Sequence, residues 1–212
     1  MEAFTLAREL GADWVELDVR RTADGRMAVH HDPVLADGRT LLDLSWDELP
    51  DQVCDLAAAL DACSGMKVNI EIKNGPFDAD FDTSSNLADQ VVKEIQGRGS
   101  HTEVLVSCFH LPTLDRVVEL DEAVPTAFLH MNVDQTWAEL ARSVADRRHQ
   151  ALHPWFGLVD ADLMDAARTA GLEVNAWTVD DPGHMADLIS LGVHGLCTNV
   201  PDVARRVVDG RD

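Results

Sequence analysis

Residues Val15 to Pro33 read VELDVRRTADGRMAVHHDP, and the placement of charge in this stretch decides how the chain folds. Val15, Leu17 and Val19 alternate with Glu16 and Asp18, the period of a strand with an apolar face and a carboxylate face. An unpaired carboxylate in a protein interior costs several kcal/mol or more, as an order of magnitude. Glu16 and Asp18 therefore need a partner. Asp24-Gly25 marks a turn, and too few residues follow it for a parallel crossover, which needs about a dozen. Met27 to His31 must then run back antiparallel to 15–19, ending on two adjacent histidines and Asp32.

Outward from this stretch, β-rich runs alternate with helical patterns. After a first helix near 3–10, strands are expected at 13–19, 67–73, 103–108, 125–131, 151–155, 172–178 and 193–198. Helices are expected at 51–63, 84–97, 111–120, 134–147, 160–170, 181–191 and 201–208. Ala170-Gly171 and Leu191-Gly192 look like helix ends that feed strands directly. Such alternation means a parallel sheet covered by helices, an α/β fold. Seven strands are one short of a closed (β/α)₈ barrel, so either the sheet is open and doubly wound or a TIM-type barrel lacks its first strand. One domain over 1–212 is expected, with 20–50 an insertion at the barrel top, where active sites gather.

In a barrel the outer strand face meets helices and is apolar, which turns Glu16 and Asp18 inward. The same parity in VNIEIK (68–73) turns Asn69, Glu71 and Lys73 inward. One lysine under-compensates three carboxylates, and like charges at close range resist joint ionisation. A hard divalent cation, Mg²⁺ or Ca²⁺, resolves this better than zinc. Adjacent strand residues face opposite ways, so at most one of His30 and His31 enters the site. His31 is favoured because Asp32 can orient its ring. The polar loop NGPFDADFDTSSN (74–86) is of the kind that is more often functional than decorative. His153 ends a strand facing inward, where it either touches substrate or is a satisfied core histidine.

Composition narrows the function. Thirty-eight acidic residues against 17 basic ones give a net charge of −21, which argues against nucleic acid as a partner. No apolar run approaches a membrane span and the start lacks a signal-peptide layout, so a cytoplasmic location without membrane insertion is expected. The four cysteines lack paired spacing, and Cys54 and Cys63 fall in a helical pattern. Reduced, mostly buried thiols are expected.

GADWVELDVRRTADGRMAVHHDPVL (11–35), VNIEIK, VLVSCF (104–109), LHPWFGLVDADLMDAARTAGLEVNAWTVDD (152–181) and LGVHGLCTNVPD (191–202) together resemble the glycerophosphodiester phosphodiesterases. These are (β/α)₈ barrels that hydrolyse glycerophosphodiesters with a divalent metal. The resemblance implies that Glu16, Asp18 and Glu71 hold the metal, that His31 is an acid or base, and that Lys73 binds phosphoryl oxygens. Trp177 would line the pocket for the alcohol. The family's first strand carries a His-Arg pair that has no counterpart in this sequence, and Asn199 stands where the family usually has aspartate.

The function so implied is hydrolysis of a small-molecule glycerophosphodiester to glycerol 3-phosphate and an alcohol, at a rate limited by the missing histidine. A catalytically impaired remnant or binding module of the same fold, or a cyclising phosphodiesterase acting on phospholipids, are the rival readings. Open sheet edges at Asp18 and Thr198 are expected, and with them self-association.

Overall fold

A computed structural model of the chain describes residues 2–132 and 134–210. They fall into two compact units. Residues up to Thr5 with Asp13–Pro125 form one, and Leu6–Ala12 with the residues from Thr126 onward form the other. The opening helix, α1 (Glu2–Glu9), belongs partly to each and has no buried residue.

The first unit holds β1 (Trp14–Arg21), β2 (Met27–Val29), β3 (Cys54–Asp55), α2 (Leu56–Ala62), β4 (Lys67–Ile72), α3 (Asn86–Arg98), β5 (Val104–Cys108) and α4 (Leu111–Leu120). Its strands lie in the order β3-β2-β1-β4-β5. β1, β4 and β5 are parallel, with Asp18 beside Glu71 and Glu71 beside Ser107. Val15, Leu17, Val19, Val68, Ile70 and Ile72 are all buried, which is the apolar face the alternation predicts. β2 returns antiparallel to β1, pairing Val19 with Val29 and Arg21 with Met27. Its turn is closed by Thr22 and Arg26, and Gly25 takes a φ of +79° that a side chain would oppose.

Three expectations need correction here. β1 runs to Arg21, beyond the expected end at 19. β2 pairs with residues 19–21 and the His30 amide donates to the Asp18 carbonyl, 3.0 Å, so the edge at Asp18 is not open. Cys54 is not helical. It lies in β3, antiparallel to β2. Asp55 also begins α2 by accepting from the Ala58 amide at 2.8 Å, which shortens the expected 51–63 helix to Leu56–Ala62.

The second unit repeats β6 (Thr126–His130), α5 (Trp137–Asp146), β7 (Ala151–Pro154), α6 (Ala161–Ala170), β8 (Glu173–Ala176), α7 (Pro182–Leu191), β9 (Gly195–Leu196) and α8 (Pro201–Val208). All its strand pairs are parallel, in the order β6-β7-β8-β9. Asp160 and Asp181 cap α6 and α7 by accepting from Leu163 and His184 amides at 2.8 and 3.0 Å. α6 ends at Gly171, whose φ of +72° lets the chain reverse directly into β8.

Candidate active site

Glu16 and Asp18 on β1 and Glu71 on β4 offer carboxylate oxygens that lie within 4.8 Å of one another. Strand parity and the parallel register bring them together, because Asp18 and Glu71 are side-by-side partners. Lys73 follows β4 and places its Nζ 2.6 Å from Glu71 Oε1 and 3.0 Å from Asp18 Oδ1. Burial, then repulsion from Asp18 and Glu71, pushes the Glu16 carboxyl up to about 8. Burial raises Glu71 as well, against the pull of Lys73. Desolvation disfavours the Lys73 ammonium, but Glu71 and Asp18 outweigh it and hold its pKa above the usual value. The cluster is thus short of positive charge. Two further inward polar atoms, Asn69 Oδ1 and Ser107 Oγ, are buried without a hydrogen-bond partner among the described residues.

His31 lies at the end of the β1–β2 hairpin with its side chain 71% exposed, and its Nδ1 is 2.8 Å from Asp32 Oδ1. When protonated, it lowers the affinity of the Glu71 carboxyl for a proton. His30 is half-buried, bonds across to Asp18 through its backbone, and holds its Nδ1 2.7 Å from the Asp32 carbonyl. The pairing of Val19 with Val29 sets His30, not His31, opposite Asp18.

Arg20, which carried no role in the sequence reading, is 3% exposed. Its Nη1 donates to both oxygens of Asp80, 2.7 and 2.9 Å, and its Nε donates to the His31 carbonyl at 2.8 Å. The loop bearing Asp80 is anchored at its base by Asn74, whose Oδ1 accepts from the Asp82 amide and whose Nδ2 donates to the Asp82 carbonyl and to Thr113 Oγ1. The alternation Glu16, Asp18, Arg20 was visible in the sequence. Its partner 60 residues away in an irregular loop was not.

In the second unit, His153 on β7 lies beside Asn175 of β8, with Nε2 3.0 Å from Asn175 Nδ2. Burial pushes its imidazole down to about 3, so it is neutral at ordinary pH. Trp177 donates from Nε1 to the His153 carbonyl at 2.7 Å. Asn199 donates from its amide nitrogen and its side chain to Asp180, 2.8 and 2.9 Å. An aspartate there would set two carboxylates against each other, which accounts for the asparagine.

The sequence matches the profile of the Glycerophosphoryl diester phosphodiesterase family over residues 1–203. The chain belongs to this family. It is 25% identical to a glycerophosphodiester phosphodiesterase of Caldanaerobacter subterraneus subsp. tengcongensis, over 97% of this chain and 90% of that protein. Among solved structures, a glycerophosphodiester phosphodiesterase from Parabacteroides distasonis superposes with a TM-score of 0.85 at 20% identity, covering 98% of this chain and 89% of the other. An Oleispira antarctica phosphodiesterase in complex with the product sn-glycerol-3-phosphate gives 0.82 at 20% identity, covering 97% and 89%. These likenesses show an α/β TIM-type barrel fold. As a family member the chain falls in the class of phosphoric diester hydrolases. Among its described residues no helix is long and apolar enough to cross a membrane.

Proposed function

We propose that the chain hydrolyses glycerophosphodiesters with a divalent cation, releasing glycerol 3-phosphate and an alcohol. The observation that carries this reading is the acidic triad. Three carboxylates within 4.8 Å face one lysine, and Glu16 is pushed up to about 8 by burial, then by repulsion from Asp18 and Glu71. An all-oxygen donor set of this charge suits Mg²⁺ or Ca²⁺, held by Glu16, Asp18 and Glu71. Bound there, the cation would supply Lewis-acid neutralisation of the phosphate oxygens.

The rest falls to side chains of this chain. Lys73 stabilises the negative charge gathered on the phosphoryl oxygens as water adds to phosphorus and the bond to the alcohol oxygen breaks. His31, oriented by Asp32, exchanges the proton that must leave the water or reach the alcohol. Such help is typically worth ~10²–10⁴ per group.

Following glycerophosphocholine by ³¹P NMR in the presence of Ca²⁺ or Mg²⁺ tests the reading. Glycerol 3-phosphate as the phosphorus product supports it. A cyclic phosphate product points instead to a cyclising enzyme, and no turnover at all points to a binding module.

A further inference from the structure

We infer that Arg20 is a positioning residue that sets His31 over the acidic triad by clamping two chain segments in one planar fork. This rests on the proposed role of His31. Arg20 follows Asp18 by two residues on β1 and shares its side of the strand. Its guanidinium meets Asp80 through Nη1 and the His31 carbonyl through Nε, with Asp78 Oδ1 3.6 Å from Nη2. The fork is rigid, so the position of the 74–86 loop dictates where the hairpin end can lie. The Asp80 loop is itself fixed through Asn74 and Thr113. His31 has no comparable anchor of its own, since its side chain is mostly exposed and bonded only to its neighbour Asp32 among the contacts described.

A buried ion pair adds little stability over well-packed apolar side chains. What a leucine or methionine could not supply at this position is the directed bond to the His31 carbonyl. The fork is also saturated where it meets Asp80 and His31, so Arg20 does not serve as a phosphate ligand in this arrangement.

The test is a set of single and paired variants, assayed as metal-dependent release of glycerol 3-phosphate with enzyme in excess over labelled substrate so that slow rates are measured. Arg20→Lys keeps a cation for Asp80 but not the fork. Asp80→Asn keeps the shape but loosens the clamp. Either variant should lower kcat on the order of 10- to 100-fold, as misplacement of a reacting group by about 1 Å does. KM and Ca²⁺ affinity by calorimetry should stay within about twofold of the parent, since neither residue is placed on substrate or metal. In a His31→Ala background the same changes should cost nothing further, an outcome that a general loss of stability does not give. If Arg20→Lys does not fold, Asp80→Asn carries the test. Equal losses with and without His31, or full rate in the single variants, overturn the positioning role. Full rate in His31→Ala alone, or no turnover by the parent, overturns the proposed function and this inference with it.

Discussion

The state of Glu16 is set by its burial and by its carboxylate neighbours. Its carboxyl is pushed from 4.5 to about 8 by burial, then by Asp18 and Glu71. The native state therefore holds a proton that the unfolded chain releases between those values, and stability falls as pH rises from about 4.5 to about 8. Without divalent ions, the melting temperature should drop more between pH 5 and pH 8 in the parent than in Glu16→Gln. Equal drops would mean that Glu16 is solvated. Added Ca²⁺ should recover the loss at pH 8, because an ion that binds only the native state stabilises it. Between the two histidines, His31→Ala should reduce kcat by ~10²–10⁴ and leave Ca²⁺ binding intact. His30→Ala should leave the rate within a few-fold, and the opposite ranking would move the proton role to His30.

At the scale of elements, the loop 74–86 is held by a buried hydroxyl. Thr113 Oγ1 on α4 accepts from Asn74 Nδ2 at 2.9 Å and lies 3.3 Å from Ser85 Oγ and 3.0 Å from His110 Nδ1. Thr113→Val keeps the shape and strands the Asn74 donor, a cost of about 1–3 kcal/mol. Urea unfolding measures it, and a midpoint unchanged from the parent would show that the loop is anchored elsewhere. The strands were legible because period-2 patterns such as VELDV and VNIEI cannot be read as helix. β3 was not legible, since it is two residues long and Asp55 carries a helix-cap signal that masks it. Parity within VELDVRR and VNIEIK pointed the triad carboxylates one way, but the Arg20–Asp80 pair depends on a loop whose path no period describes.

Across the whole molecule the dominant quantity is charge. Thirty-eight acidic groups against 17 basic ones, of which only Lys67, Lys73 and Lys93 are lysines, repel one another over the folded surface. Screening shortens that repulsion to a Debye length of about 3 Å at 1 M salt. The melting temperature should therefore rise between low salt and 1 M KCl, and a flat or falling profile would show that local pairs such as Arg98–Asp61 and Arg116–Asp89 already neutralise the surface.

The central claim is that three crowded carboxylates are there to hold a cation on which hydrolysis depends. Its most direct measurement is glycerol 3-phosphate release from glycerophosphocholine by the parent and by Glu71→Gln, each titrated with Ca²⁺ and with Mg²⁺ after chelation. The account predicts that chelation abolishes release, that the cation restores it in the parent, and that Glu71→Gln needs far more cation. The shift should exceed the ~10–100-fold that loss of an outer partner of a metal site costs. Release that persists through chelation, or a Glu71→Gln titration that overlays the parent's, would contradict it.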